Sequence, residues 1–216
     1  MKQQIIESVK KEKIIVIVRG VERELLVPLA EAMYNGGIRL LEITFDASGK
    51  TTDNEIASRI AMLKTHFGDR MHIGAGTVLT AAQVELVAQA GGEFIISPNV
   101  KREVIEKTCE LSLVSMPGAL TPSEIVDAHD FGADFVKLFP VTSLGVGYVK
   151  AVRAPLSHIP MLAVGGIDLD NISDYLNAGV CGFGLGSNII DKKMLAQGDF
   201  DGITRLAASY VKAVRG

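Results

Sequence analysis

The sequence predicts an α/β protein folded as a single (β/α)₈ TIM barrel over residues 1–216, and three observations carry that expectation. Eight short apolar, β-branched runs cover 14–19, 40–46, 72–78, 94–98, 112–119, 135–140, 161–167 and 182–187. Their starts lie 18 to 32 residues apart, room each time for one strand, one helix and two short loops. The runs are apolar on both faces, which suits parallel strands covered by helices. No linker or shift of composition interrupts the series. Eight β/α units in a row therefore favour a closed barrel over the competing doubly wound open sheet.

Ahead of the first run stands a charged stretch, Lys10, Lys11, Glu12 and Lys13. The leading Met1-Lys2-Gln3-Gln4 opens no apolar signal segment, so a cytoplasmic address is expected. A helix over 25–34 follows the first run and stops at Asn35-Gly36-Gly37; another over 81–90 starts after Thr80 and stops at Gly91-Gly92. Thr121-Pro122 supplies an N-cap and a first-turn proline for a helix after the fifth run. No run of about 18 apolar residues occurs, which excludes a membrane-spanning helix. A net charge of −3 with no clustered basic surface argues against nucleic acid as a partner. Cys109 and Cys181 lack close spacing and are expected to be free thiols. His66, His72, His129 and His158 have no metal-ligand spacing, and no carboxylate cluster reads as a metal site. No Gly-x-Gly-x-x-Gly follows the first run, so neither a metal nor a dinucleotide cofactor is expected.

Barrels of this kind carry their function at the C-terminal ends of the strands. The polar residues at those ends are Arg19, Glu42, Thr77 and Lys137. Lys137 lies in Phe135-Val136-Lys137-Leu138-Phe139-Pro140, where alternation puts Phe135, Lys137 and Phe139 on one face. An ammonium facing a dry interior loses its proton readily, and the neutral amine attacks a ketone to give a carbinolamine and then an imine. Glu42, in Leu40-Leu41-Glu42-Ile43-Thr44, comes from the second strand, opposite the sixth in an eight-stranded ring. The two side chains can share one site, with Glu42 as the acid/base that imine-based aldol chemistry requires. The competing interpretation is a structural Lys137–Glu42 salt bridge.

Gly165-Gly166-Ile167 ends the seventh run and Gly184-Leu185-Gly186-Ser187 the eighth, the positions where such barrels bind phosphate. Gly165, Gly166 and Gly186 let backbone N–H groups approach an anion; Ser187 adds a hydroxyl and a candidate helix N-cap. The plainer alternative is that these glycines only turn corners. Gly74-Ala75-Gly76-Thr77 and Ser97-Pro98-Asn99 are expected to floor the pocket, with Pro98 and Phe139 against the substrate. Arg19 and Thr77 would suit a carboxylate. At this point a phosphate-binding isomerase or epimerase and a non-catalytic sugar-phosphate sensor remain open beside an aldolase.

These residues resemble the 2-keto-3-deoxy-6-phosphogluconate and 4-hydroxy-2-oxoglutarate (KDPG/KHG) aldolase family over nearly the whole chain. The ordered motifs are Gly36-Gly37-Ile38-Arg39-Leu40-Leu41-Glu42-Ile43-Thr44, Gly74-Ala75-Gly76-Thr77-Val78-Leu79, Ile96-Ser97-Pro98-Asn99, Val136-Lys137-Leu138-Phe139-Pro140 and Gly165-Gly166-Ile167. The resemblance implies Lys137 as Schiff-base lysine, Glu42 as general acid/base and Thr77 near the pyruvate carboxylate. It also implies a cofactor-free reaction on a 2-keto acid sugar phosphate, a place in the Entner–Doudoroff route, and a homotrimer. One departure stands out: the best-known branch has an arginine where this chain has Asp46. Ile17-Val18-Arg19-Gly20 resembles instead the phosphogalactonate branch, which implies that Arg19 clamps the substrate carboxylate.

Overall fold

Nine parallel strand segments follow one another around a ring in the computed structural model, which describes residues 2–215; Met1 and Gly216, the outer ends of the expected barrel, lie outside them. The segments are β1 (Ile14–Val18), β2 (Leu40–Thr44), β3 (His72–Gly76), β4 (Phe94–Ile96), β5 (Val114–Met116), β6 (Gly118–Ala119), β7 (Val136–Leu138), β8 (Met161–Val164) and β9 (Gly182–Leu185). They pair in the order β5-β4-β3-β2-β1-β9-β8-β7-β6. First and last strands are hydrogen-bonded, Ile14 opposite Phe183, which rules out the doubly wound sheet.

The fifth expected run, 112–119, is split. Ser112 turns in the left-handed region, and Pro117 divides β5 from β6. Proline has no N–H for a ladder, so pairing passes there from one neighbour to the other. β5 bonds to β4, β6 bonds to β7, and the Pro117 carbonyl accepts from the Lys137 N–H at 2.9 Å. The ring thus closes through a continuous piece of chain, with eight strand positions. Strands also end earlier than the apolar runs: Arg19, Asp46, Thr77 and Phe139 have already left the ladder.

Around the ring lie α2 (Arg23–Asn35), α3 (Asp53–Phe67), α4 (Ala81–Gln89), α5 (Arg102–Glu110), α6 (Pro122–Asp130), α7 (Gly145–Arg153), α8 (Ile172–Asn177), α9 (Lys192–Gln197) and α10 (Phe200–Arg215). Thr80 and Thr121 cap α4 and α6 as expected, each accepting from the backbone N–H three residues on. Two cores result. Val16, Val18, Leu41, Ile43, Ala75 and their neighbours face the helices. Ile15, Leu40, Phe94, Ile96, Val114, Met116, Phe135, Leu162 and Val164 fill the barrel.

The charged stretch before β1 turns out to belong to a helix, α1 (Lys2–Glu12), which the sequence did not announce. Its two buried residues, Ile5 and Val9, stand one turn apart and pack into the inner core from below. α1 closes the base of the barrel, and the open end is the C-terminal one.

Gly74 and Gly76 do not floor the pocket. A Cβ at position 74 would run into the Phe94 ring, and one at 76 into the Glu42 carboxylate. Both glycines make room for the protein's own interior side chains.

Below β3 and β4, Glu93 accepts from the Ile73 N–H at 3.1 Å and lies 3.1 Å from the Lys64 ammonium and 3.3 Å from His72 Nδ1. Burial works against its charge, but the His72 hydrogen bond and the Lys64 charge outweigh it and hold the carboxyl below its ordinary value. The stabilisation is therefore present above the ordinary carboxylate range and lost as pH falls through the lowered value. Glu93→Gln is expected to cost about 2 kcal/mol at pH 7, roughly 4–8 °C in Tm. The difference should shrink towards pH 3 in melts across pH.

Candidate active site

All ten residues singled out in the sequence (Arg19, Glu42, Thr77, Pro98, Lys137, Phe139, Gly165, Gly166, Gly186 and Ser187) line one cleft of about 250 Å³ at the C-terminal mouth. Sequence reasoning missed Asn188 in the same wall. The Asn188 side-chain amide donates to the Ile167 carbonyl at 2.8 Å and ties the turn after β9 to the turn after β8.

Lys137 sits in the middle of β7, in register with Gly118 on one side and Leu162 on the other. Its side chain is 8% exposed, with Nζ 4.8 Å from the centre of the Phe139 ring. Burial lowers its pKa; the charge of Glu42 works against that, and Arg19 adds to it. Glu42 rises from β2, four positions round the ring from β7, and is 1% exposed. Burial pushes its pKa up to about 7, with the charges of Lys137 and Arg19 holding it back. Its Oε2 is buried without a hydrogen-bond partner, and no ion pair joins Glu42 to Lys137 among the described residues. The salt-bridge alternative fails on that geometry. A pair that is buried, close enough to feel each other's charge and yet unpaired is poised to exchange protons near neutrality.

Arg19 follows β1 directly and donates from Nη2 to Thr77 Oγ1 at 3.1 Å. Thr77 holds φ at +57°, a left-handed conformation that a β-branched residue resists. Such strain, about 1–3 kcal/mol, persists where the surroundings fix the residue. Here it sets the Thr77 hydroxyl against Arg19 at the rim.

Gly165 and Gly166 turn with φ of +98° and +76°. Gly166 also lies against Thr142, whose Oγ1 donates to the Gly165 carbonyl at 2.8 Å. The corner interpretation is therefore part of their role. Ser187 is not a helix cap. α9 starts only at Lys192 and is capped by Asp191, which accepts from the Lys193 and Met194 N–H groups at 2.7 and 2.9 Å. Between β9 and α9 runs a single turn, in which the Gly186 carbonyl accepts from Ile189 and Ile190 and Ser187 is left exposed. Among the described residues, the backbone N–H groups of Gly166 and Ser187 donate no hydrogen bond, so both are available to an anion.

Asp46 does not reach the cleft. It accepts from the Ser48 N–H at 2.9 Å, the Ser48 hydroxyl at 2.6 Å and the Thr51 N–H at 3.0 Å, and those bonds hold its pKa low. In this chain the position fastens the β2–α3 loop.

Fold and cleft together define the class, a barrel carbon–carbon lyase. The family model for KDPG and KHG aldolase matches residues 5–206, and the chain belongs to that family. The 2-dehydro-3-deoxy-phosphogluconate aldolase of Haemophilus influenzae is 32% identical over 217 residues, 99% of this chain and 98% of that one. The 2-dehydro-3-deoxy-6-phosphogalactonate aldolase of Escherichia coli K12 is 32% identical over 206 residues, 95% of this chain and 96% of that one. KDPG aldolase from Legionella pneumophila, solved with pyruvate captured at low pH as a covalent carbinolamine intermediate, is 29% identical with a TM-score of 0.85, covering 94% of this chain and 97% of that one.

Proposed function

We propose that the chain cleaves 2-keto-3-deoxy-6-phosphogluconate to pyruvate and glyceraldehyde 3-phosphate through an imine on Lys137. A second substrate is 4-hydroxy-2-oxoglutarate, split to pyruvate and glyoxylate. The observation that carries this reading is the buried, unpaired Lys137–Glu42 couple at the barrel mouth. The neutral Lys137 amine adds to the C2 ketone, and loss of water leaves the iminium. Glu42, ionised, takes the proton of the C4 hydroxyl. The C3–C4 bond breaks, and its electron pair moves into the iminium to give an enamine. The aldehyde departs, Glu42 returns the proton to C3, and water hydrolyses the imine to pyruvate. Arg19 and Thr77 hold the substrate carboxylate, Gly165, Gly166, Gly186 and Ser187 hold the phosphate, and Pro98 and Phe139 flank the carbon chain.

Borohydride reduction in the presence of pyruvate tests the chemistry. A pyruvyl adduct mapped to Lys137 is expected; a folded, saturated enzyme that carries none would leave the isomerase as the better reading. The Arg19 assignment predicts that Arg19→Ala weakens pyruvate trapping roughly 10- to 100-fold, the range for losing a charge-assisted carboxylate contact. An unchanged half-saturation would remove Arg19 from the clamp.

Asp46 favours a second reading of the sugar. With no arginine at that position and Arg19 at the rim, 2-keto-3-deoxy-6-phosphogalactonate is the alternative substrate. Comparing kcat/KM for the two epimers decides between them. Family membership also supports a homotrimer acting in the cytoplasm on the Entner–Doudoroff route, and sedimentation at about three times the 23.1 kDa chain mass would test the assembly.

A further inference from the structure

Arg19 also lines a second cavity of about 260 Å³ between the turn after β1 and the loop after β2, whose wall includes neither Lys137 nor Glu42. Its wall includes three cations, Arg19, Lys50 and Arg59, and one acid, Asp46. Asp46 is occupied by its bonds to Ser48 and Thr51. Among the described residues no carboxylate pairs with any of the three cations. Arg59, from α3, is fastened by an Nη1 donation to the Val21 carbonyl at 2.9 Å, yet its Nε is buried without a partner. An orphaned guanidinium N–H costs about 1–3 kcal/mol unless something accepts from it. A wall with this excess of positive donors calls for an anion, and planar guanidinium forks suit carboxylate or phosphate oxygens. Arg59 already holds the Val21 carbonyl and Arg19 the Thr77 hydroxyl, so the donors left in this wall suit a single oxyanion group.

We propose that this cavity is a second anion site, which takes a small oxyanion (inorganic phosphate or a simple carboxylate) on Arg59, Lys50 and Arg19, and that occupancy weakens the hold of Arg19 on the substrate carboxylate. The coupling rests on Arg19 serving that carboxylate; the site itself does not. Arg19 belongs to both walls, and one guanidinium set against Thr77 cannot be optimally placed for an anion on each side. Product-like anions would then restrain the enzyme from a place that touches neither Lys137 nor Glu42.

The test measures melting temperature against inorganic phosphate, with acetate as a parallel arm, for the wild type, Arg59→Gln and Lys50→Gln. Lys50 is exposed on a loop, so its variant folds whether or not the loss of Arg59 is tolerated. Millimolar phosphate is expected to raise the wild-type melting temperature. Its half-saturation should move up about tenfold in Arg59→Gln and several-fold in Lys50→Gln, as for loss of charge-assisted contacts. A stronger response to phosphate than to acetate marks a phosphate site, and the reverse marks a carboxylate site. Identical phosphate half-saturation in all three proteins would place the anion in the glycine turns of the catalytic cleft and overturn the proposal. Borohydride trapping reads the coupling: phosphate should raise the pyruvate half-saturation several-fold in the wild type, and several-fold more phosphate should be needed for the same effect in Lys50→Gln. No change in the wild type overturns the coupling, whereas failure to trap pyruvate at all is a failure of the aldolase reading and leaves the melting result standing.

Discussion

Lys137→Met is expected to lower aldol cleavage by about 10⁵-fold or more, a barrier increase of about 7 kcal/mol. On the proposed mechanism the whole covalent route passes through this amine, and among the described residues no other lysine lines the cleft. Methionine keeps the length of the stem and fits beside Phe139 without bringing a charge into the barrel. Burial already disfavours the ammonium at this position. The variant should therefore melt no lower than the wild type, since replacing a buried charge by an apolar side chain is often neutral or stabilising. Steady-state cleavage and a thermal melt on the same preparation check both halves. Residual activity within tenfold of wild type would remove Lys137 from the chemistry, and a large fall in melting temperature would mark it as structural.

Glu42→Gln removes the proposed proton carrier while keeping the shape, and cleavage should fall about 10²- to 10⁴-fold. With Glu42 ionised as the proposed base, the wild-type kcat/KM should drop below about pH 7 as the carboxyl takes up its proton. The residual rate of the variant should lack that inflection. Stability carries an independent signature. The folded value, about 7, lies above the ordinary 4.5, so the unfolded chain ionises first and the folded state bears a cost. That cost is absent below pH 4.5, grows between there and about 7, and is constant above. The shift amounts to about 3 kcal/mol. The stability difference should move in favour of Glu42→Gln by that order between pH 4 and pH 8. A parallel pair of melting curves would contradict the raised carboxyl.

The barrel was legible because its parallel strands, wrapped by helices, are apolar on both faces and recur with the βα period. Lys137 and Glu42 were legible for the same reason: a charge inside such a run has no cheap structural explanation. What escaped depended on contacts between distant segments. Nothing local says that Ile5 and Val9 will meet Phe94 and Phe135 at the base of the barrel, so α1 read only as a charged stretch. The break at Pro117 needed knowledge of which neighbour each half bonds. Gly74 and Gly76 looked like space for a substrate, because sequence gives a glycine's emptiness but not the Phe94 or Glu42 side chain that fills it. Ser187 looked like a cap because nothing local in the six residues that separate β9 from α9 says that the helix starts only after Asp191.

The helix that stoppers the base gives the enzyme a single doorway. Beneath Lys137 and Glu42 the barrel is packed with Ile15, Leu40, Phe94 and Leu162 down to Ile5 and Val9, so traffic cannot pass through from below. The water that finally hydrolyses the imine must come in by the route the aldehyde takes out. While the aldehyde half fills the mouth, the enamine behind it is screened from solvent. The sequence of events is thus policed by geometry as well as by bond energies: departure first, then protonation and hydrolysis. A channel opened through the base, for instance by trimming Ile5 and Val9 to alanine, would let solvent reach the enamine while the aldehyde still blocks the mouth.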